Sequence, residues 1–240
     1  RTLGIEPTLL HAALDEEETS HIDFEDGHTL IVIDVPIAET GEKNTVIYTT
    51  MPIGIIVTAD NVVTVALKET STLQGIADNV VKHITPVLKT QFVMHILLRA
   101  ARRYLYYLRQ IDKLSSFVEK QLHQSMKNKE LFQLLELEKS MVYLSTSLRS
   151  NDITIKKLMG GKVIKLYEED QDLLDDVQIE MNQAIEMSSI YSGILSGMMD
   201  AFASVISNNL NIVMKTLTSV TVLLTIPTIV FSFYGMNVTH

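Results

Sequence analysis

The sequence predicts an α+β domain followed by a stalk of long helices, the last of which runs into a membrane. Three observations support this fold class. Short β-branched runs separated by turns occupy the first 85 residues, helical periodicity dominates after Pro86, and an uncharged apolar run ends at Tyr234. The composition agrees, because the mean hydropathy is positive, at +0.18, although 20 % of the residues are charged. That combination is typical of a soluble part joined to a membrane segment.

The composition also excludes several classes of function. The 240 residues include no cysteine, which rules out a disulfide framework, a cysteine-ligated metal site and a thiol nucleophile. The net charge of −9 argues against nucleic acid as a partner, so the arginines among tyrosines at 99–109 are interpreted as salt bridges and packing. The sequence contains no phosphate-binding glycine loop, no nucleophile-elbow motif and no histidine pair with metal-ligand spacing. We therefore expect neither an enzyme nor an organic cofactor.

The first 85 residues are predicted to form a mixed α/β domain. We predict four strands, over residues 29–35, 45–50, 53–58 and 62–67. Pro36 should end the first strand, and residues 59–61 should turn the last two into a hairpin of an antiparallel sheet. Apolar spacing predicts two helices, over residues 3–14 and 73–84.

After Pro86, apolar residues recur at every third or fourth position, which predicts long helices. We predict three, over residues 87–125, over 129–158 and from about 166 onward. Gly160 and Gly161 separate the second from the third. The third helix has no obvious stop, so it should run for about 60 residues, roughly 90 Å at 1.5 Å per residue. A helix of that length needs other long helices beside it, from this chain or from copies of it.

Residues 216–234 form an apolar run without a charge. As a helix this run spans about 28 Å, close to the roughly 30 Å hydrocarbon core of a bilayer. Lys215 precedes the run, where its amine can reach the interface, and Phe231, Phe233 and Tyr234 supply aromatic rings at the other end. We therefore predict a transmembrane segment, with the lipid bilayer as a partner.

A polar stripe follows the third helix into the apolar run. Stepping back from its end by four and three residues gives Ser232, Thr228, Thr225, Thr221, Thr218, Met214, Asn211, Ser207, Ser204 and Asp200. This spacing is the seam of a helix that winds about an axis with its copies. A single hydroxyl commonly bonds the carbonyl four residues back, and one near Pro227 could serve the carbonyl of Leu223, which lacks its usual donor. For the unbroken row of five hydroxyl residues that ends at Ser232, we favour the lining of a pore.

The same helix is strongly acidic before the apolar run. Between Leu166 and Met214 there are nine acidic residues and no lysine or arginine. An acidic run is usually a solvated face, but repeated around an axis it would concentrate cations at the mouth of a pore. Asp176, Glu186 and Asp200 share the spacing of the polar stripe.

The end of the chain resembles a known family. Tyr234-Gly235-Met236-Asn237, at the outer end of a membrane helix, is similar to the signature loop of the CorA family of divalent-cation channels. Further similar segments are residues 4–7, 53–66, 176–177, 197–200 and 211–218, together with Pro227. The resemblance covers nearly the whole chain and is most specific at its end.

The resemblance implies a homopentameric funnel that moves Mg²⁺, with Co²⁺ or Ni²⁺ as further candidates, across the cell membrane. It implies a selectivity ring of Gly235, Met236 and Asn237 for the hydrated ion, which suits a cation that gives up its water reluctantly. The implied pore-lining residues are Asn211, Met214, Leu217, Thr218, Thr221, Thr225, Thr228 and Ser232. Asn211 would ring the cytoplasmic end, and Met214 and Leu217 would form an apolar constriction. Intracellular Mg²⁺ would gate the pore at acidic sites between subunits, with Asp175, Asp176 and Asp200 as candidates.

The implied domains are a cytoplasmic α/β domain over residues 1–85, a helical stalk over 86–211, a first transmembrane helix over 212–234 and the start of the signature loop over 235–240. We expect further sequence before Arg1, and a second transmembrane helix that would make the full-length chain multi-pass is absent from this sequence. Two features depart from the family. Thr225 makes the implied pore more polar, and His11-Ala12 stands where the family has an acidic pair facing the counterpart of Asp176.

Two alternatives stay open from the sequence. One is the zinc-transporting branch of the same family, which ion selectivity would distinguish. The other is a membrane-anchored coiled-coil scaffold that conducts nothing, in which leucines could replace the polar stripe without loss of function.

Overall fold

The computed structural model describes residues 5, 7–25, 27–41, 45–77, 89–125, 128–161, 163–164 and 166–235. The chain forms two compact units, Arg1–Leu195 and Ser196–His240, and the boundary between them lies within the last helix.

The secondary structure places a small sheet before three long helices. In chain order the elements are α1 (Pro7–Ala12), β1 (His21–Glu25), β2 (His28–Thr40), β3 (Val46–Val57), β4 (Val62–Ala66), α2 (Ser71–Ala77), α3 (Lys89–Ser125), α4 (Asn128–Met159), a 3₁₀ turn (Glu168–Asp170) and α5 (Gln171–Tyr234). The three predicted long helices are thus confirmed to within a few residues at the described ends.

The four strands form one antiparallel sheet in the order β1-β2-β3-β4. β2 and β3 pair over twelve residues, from Thr29 opposite Val57 to Thr40 opposite Val46. At the turn between β3 and β4, the Thr58 amide donates to the Asn61 carbonyl at 2.9 Å. The predicted antiparallel sheet and its hairpin are confirmed.

Two prolines lie inside strands. The sequence predicts that Pro36 ends a strand and that Pro52 lies in a gap between two strands. Pro36 does not end β2, and Pro52 does not divide β3, so the predicted strand ends were wrong. Pro36 lies beyond Val32, the last β2 residue that pairs with β1. Pro52 precedes Ile53, the first β3 residue that pairs with β4. Each proline lies where its strand has only one neighbour, so the amide hydrogen that proline lacks is not needed there.

Three other elements differ from the sequence prediction. β1 was missed, because its sequence His-Ile-Asp-Phe-Glu has only two apolar residues and gives a weak strand signal. The first helix is shorter than predicted, since the described part of it ends at Ala12. α2 begins at Ser71, and the predicted part of this helix from residue 78 onward lies outside the described residues.

The core of the first unit lies on both faces of the sheet. On one face Leu30, Val32 and Ile56 pack against Leu9 and Ala13 at α1. The alternate residues of β2 and β3 point the other way, towards the side that α3 and α4 cover. A Cβ atom on Gly54 of β3 would lie 2.3 Å from the Cβ atom of Ala13, so only glycine allows this close approach.

Polar residues of the long helices bond the sheet backbone where a strand has a free edge. Asn151 of α4 donates through Nδ2 to the carbonyl of Asp34 at 2.8 Å and accepts from the Asp34 amide at 2.9 Å. Tyr104 of α3 donates to the same carbonyl at 3.1 Å. Ser140 accepts from the amide of Tyr48 at 3.1 Å. These contacts satisfy buried backbone groups that have no strand partner.

The Asp34 side chain is itself buried at this junction, with 8 % of the residue exposed. Burial raises the pKa of its carboxyl to about 6, against a smaller lowering by a hydrogen bond from Ser147. Burial also raises the pKa of Tyr104 well above its usual value, and the charge of Asp34 adds to that shift. The contact between β2 and the helices therefore contains a carboxyl group that is ionised at neutral pH and becomes neutral as the pH falls below about 6.

Candidate functional site

The candidate site is one side of α5 in the second unit. The predicted pore-lining residues from Asn211 to Ser232 lie on continuous helix, and all of them are exposed on the single chain. A straight helix drifts about 20° per heptad from a strict 3–4 repeat, so the three heptads involved turn the stripe by only about 60°. The hydroxyl stripe therefore keeps to one side of the helix, and Leu217 borders it.

The threonines of the stripe share one hydrogen-bonding pattern. Each hydroxyl donates to the carbonyl four residues back, namely Thr218 to Met214 at 2.8 Å, Thr221 to Leu217 at 2.9 Å, Thr225 to Thr221 at 2.8 Å and Thr228 to Leu224 at 2.8 Å. Because the proton is committed to the helix, the hydroxyl oxygen presents its lone pairs outward. The result is a row of acceptors, which matches the outward-pointing hydrogens of water around a cation.

This bonding pattern is not special to the stripe. Thr216 and Ser219, which lie off it, donate in the same way at 3.0 and 2.9 Å. Position on the helix, rather than the hydrogen bond, distinguishes the stripe. The hydroxyls on either side of Pro227 donate to Thr221 and Leu224, so they do not serve the carbonyl of Leu223.

A shallow groove of about 590 Å³ runs along the helix where the stripe enters the apolar run. Its walls are formed by Asn208, Asn211, Met214, Lys215, Thr218 and Ser219. Three of these are predicted pore-lining residues, and Asn208, Lys215 and Ser219 are not. The signal for Asn208 is a second 3–4 row, Asn208, Asn211, Lys215 and Thr218, which shares Asn211 and Thr218 with the polar stripe.

The predicted selectivity residues lie at the end of α5. The amide of Gly235 donates to the carbonyl of Phe231 at 2.9 Å, which is the last helical bond of the described chain. Met236 and Asn237 lie outside the described residues.

The predicted regulatory acids are exposed on the single chain. Asp175 accepts from Gln171 Nε2 at 3.1 Å, and Asp176 follows it on the surface of the first unit. Asp200 is exposed in the second unit. Within the described part of one chain, no three histidine, aspartate or glutamate side chains are grouped closely enough to hold a metal ion. Carboxylate oxygens are suitable ligands for Mg²⁺, but a site here would need further ligands from another copy.

Two of the nine acids before the apolar run have structural partners outside α5. Asp170 is 2 % exposed and accepts from the amide of Tyr167 at 3.1 Å, which caps the turn before α5. Glu180 accepts from Arg102 Nε of α3 at 3.1 Å. The acidic run is therefore not only a solvated face.

The apolar part of α5 meets the length and composition expected of a membrane span. Its most apolar 18-residue window has a mean hydropathy of 1.8, and none of that window is buried inside the structure. A core helix of a soluble protein would pass the same test while being mostly buried, and this one is not.

Comparison with known proteins connects these features. Residues 1–240 match the family described as CorA-like Mg²⁺ transporter protein. The chain belongs to the CorA family. This match confirms the resemblance recognised in the sequence. CorA proteins form a membrane transporter family rather than an enzyme family. An α/β domain followed by a long apolar helix is the CorA fold, which confirms the predicted fold class.

Two relatives are similar over most of the chain. The cobalt/magnesium transport protein CorA of Methanocaldococcus jannaschii is 25 % identical over 244 residues, covering 100 % of this chain and 75 % of that protein. The complete structure of the CorA magnesium transporter from the same organism matches with a TM-score of 0.85 at 24 % identity, with the same coverage. The cytoplasmic domain of ZntB from Vibrio parahaemolyticus matches with a TM-score of 0.65 at 10 % identity over 85 % of this chain and 80 % of that one. The ZntB match is a likeness of fold.

Proposed function

We propose that this chain is one subunit of a homopentameric channel that conducts Mg²⁺ across the cell membrane, with Co²⁺ or Ni²⁺ as further candidate ions. The relative from M. jannaschii is named as a cobalt/magnesium transport protein. In the proposed assembly residues 212–234 cross the bilayer, residues 1–85 and 86–211 form the cytoplasmic domain and stalk, and 235–240 begin the outer loop. The full-length protein crosses the membrane again.

The observation that carries the proposal is the hydroxyl stripe of α5. Its oxygens face outward from an otherwise apolar span, with their protons held by the helix. Polar groups inside a bilayer are costly unless they face water, another helix or an ion path. Copies of α5 arranged around an axis would turn this stripe inward and the surrounding valines, leucines and isoleucines outward.

The proposed pathway has a selective end and an apolar constriction. Gly235, Met236 and Asn237 would hold hydrated Mg²⁺ through carbonyl and amide oxygens, since Mg²⁺ keeps several of its waters when it binds. Met214 and Leu217 would narrow the path and gate it by excluding water, with Asn211 at the cytoplasmic side. Thr218, Thr221, Thr225, Thr228 and Ser232 would solvate the passing ion between them.

Regulation would come from carboxylates at the contacts between subunits. Asp175, Asp176 and Asp200 are exposed on one chain and therefore accessible to a neighbour. Mg²⁺ bound between them would offset their mutual repulsion, and its loss would favour an open ring. His11-Ala12 on α1 supplies no carboxylate, so these aspartates would provide most of the response.

The test is ion flux into liposomes that contain the full-length protein, followed with a Mg²⁺-sensitive dye. We expect Mg²⁺ uptake that hexaamminecobalt, a mimic of hydrated Mg²⁺, blocks competitively. Asn237→Ala should reduce uptake at least tenfold without changing the mass of the assembly, because alanine removes the oxygen that accepts from the ion's water. Asn209→Ala makes the same change on α5 outside the polar stripe, so it serves as the matched control and should retain uptake.

Uptake of Zn²⁺ in preference to Mg²⁺ would instead support the zinc branch of the family. Intact pentamers without flux of either ion would support the scaffold alternative, against which membership of a transporter family already argues. If hexaamminecobalt blocked uptake by Asn237→Ala as strongly as it blocks uptake by the parent protein, the proposed selectivity site would be contradicted.

A further inference from the structure

A basic cleft lies between α2 and α3, within the first unit. Its volume is about 270 Å³, and its walls include Thr72, His95, Arg99, Arg102, Arg103 and Tyr106. The α3 residues recur at three and four positions, which places them on one face of the helix. The cleft therefore gathers three guanidinium groups and an imidazole in a chain whose net charge is −9.

The positive charge of the cleft is only partly compensated. Arg102 pairs with Glu180 of α5, with Nε and Oε1 3.1 Å apart. Across the part of the chain that the structure describes, neither Arg99 nor Arg103 forms an ion pair with a carboxylate. Arg99 donates to the carbonyls of Ser71 and Thr72 at 2.9 Å each.

Arg103 is held by aromatic rings instead of a carboxylate. Its guanidinium lies 5.5 Å from the ring centre of Tyr106 and 5.8 Å from that of Tyr107. Stacking on tyrosine leaves the N–H groups at the edge of the guanidinium plane, where they can donate to an anion.

The like charges of the cleft act on one another. Burial and the nearby charge of Arg103 lower the pKa of Arg99. Burial and the charge of Arg102 lower the pKa of His95. Burial is the larger cause of both shifts, and the neighbouring positive charge adds to each of them. An anion bound in the cleft would relieve that repulsion.

We propose that this cleft binds a phosphate-bearing anion through Arg99, Arg102 and Arg103. Guanidinium groups match phosphate oxygens in paired, charge-assisted hydrogen bonds. The volume of about 270 Å³ lies below the roughly 300–1,000 Å³ of pockets that enclose whole drug-sized ligands, so it suits one phosphate group. The Thr72 hydroxyl is buried and has no hydrogen-bond partner among the described residues, and a bound anion would offer it an acceptor. The source is free phosphate or the phosphate end of a nucleotide.

Binding there has a consequence for α5. The anion competes with Glu180 for Arg102, and Glu180 belongs to the helix that continues into the apolar span. Occupancy of the cleft therefore weakens one of the links between α3 and α5. Binding itself does not depend on which ion the protein transports.

The test is isothermal titration of the full-length protein in detergent micelles, in Mg²⁺-free buffer with EDTA. The probes are inorganic phosphate, tripolyphosphate and ATP, with adenosine as a negative control. We expect saturable binding that Arg103→Gln weakens at least tenfold and that Glu180→Gln strengthens about fivefold, because the competing carboxylate is gone. Arg109→Gln makes the same change of charge at an exposed position of α3 outside the cleft, and it should alter affinity less than twofold.

The three probes distinguish the source of the phosphate. Equal affinity for phosphate and ATP assigns free phosphate, whereas tighter binding of ATP than of tripolyphosphate assigns a nucleotide. If Arg103→Gln does not fold, Arg102→Gln and Glu180→Gln still report on the cleft with opposite signs. Absence of saturable binding for all three probes, or equal losses in Arg103→Gln and Arg109→Gln, would overturn the proposal.

Discussion

Two helices of this chain carry rows of polar residues at similar spacing and use them in opposite ways. In α4 the row is Ser140, Ser147, Asn151 and Thr154, and every member is buried. In α5 the row is Thr218, Thr221, Thr225 and Thr228, and every member is exposed on the single chain. Both rows follow the three- and four-residue period of a helix face, so the spacing alone does not tell them apart.

The difference lies in where the hydrogen-bond partners are. Ser140 bonds a residue 92 positions away, and Thr154 accepts from Ser20, 134 positions away. The α5 threonines bond carbonyls only four positions away. A polar row whose partners are distant in the sequence holds a sheet in place. A row that bonds only its own helix leaves its oxygens available to an ion or its water.

The largest expected loss of stability comes from Asn151→Leu. This change leaves the buried amide of Asp34 without an acceptor and removes one of two donors to its carbonyl, at a cost of about 2–3 kcal/mol. Chemical unfolding of the full-length protein, followed by circular dichroism, measures it. Asn211→Leu is the matched change in the stripe of α5 and should leave the unfolding midpoint unchanged while lowering Mg²⁺ flux. Equal destabilisation by both variants would remove the distinction between the two rows.

Asp34→Asn should stabilise the protein at neutral pH. The carboxyl has a pKa of about 6 in the folded chain against 3.8 ordinarily, so the folded state binds its proton more tightly than the unfolded state does. The ionised form therefore destabilises the fold above pH 6, and this cost disappears as the pH falls from 6 towards 4. Asparagine removes this cost, so the free energy of unfolding should rise by about 3 kcal/mol at pH 7.5 and change little near pH 4.

Unfolding of Asp34→Asn and the parent across that pH range checks this prediction. Ser147→Ala provides the control, because loss of its hydrogen bond should raise the pKa of Asp34 further and shift the pH dependence upward. A variant less stable than the parent at pH 7.5 would contradict the assignment of Asp34 as a buried, strained carboxylate.

The smallest expected effects come from the same substitution, threonine to valine, made once in the α4 row and once in the α5 row. Thr154→Val removes one of the two acceptors of the Ser20 hydroxyl, the one at 2.8 Å, and leaves the Val32 carbonyl at 3.0 Å. This change should cost about 1 kcal/mol. Thr221→Val removes a bond that lies within an exposed helix, and its cost should stay below about 0.5 kcal/mol. Thermal unfolding of the two variants side by side gives the comparison, and a reversed order would show that burial does not decide the outcome.

The parts of this architecture that sequence predicts well are those whose signal is local. The long helices follow from apolar periodicity, and the stripe of α5 stands out because hydroxyls interrupt an otherwise apolar run. The α4 row gives no such contrast, since Ser140 and Asn151 lie among charged and polar neighbours and their partners are far away in the chain. Pro36 and Pro52 misled the strand prediction for a similar reason, because only the register shows that each strand has one neighbour there.

The functional assignment depended on a different kind of signal. Spacing predicted the hydroxyl stripe, but the roles of Gly235, Met236 and Asn237 came from resemblance to a family, and the carboxylate sites between subunits involve contacts that one chain does not contain. Asn208 was missed because only one of two overlapping 3–4 rows was followed.

The central claim is that the hydroxyl stripe of α5 lines the path of the ion. Since the 240 residues include no cysteine, a single introduced cysteine is the only thiol among them. Cysteines at Thr218, Thr221, Thr225 and Thr228 should react with a charged, membrane-impermeant methanethiosulfonate at least tenfold faster than cysteines at Val222, Leu223, Ile226 and Val230. Modification at the threonine positions should also block Mg²⁺ uptake into liposomes. Equal rates on all faces, or faster reaction and block at Val222 and Leu223, would contradict the claim.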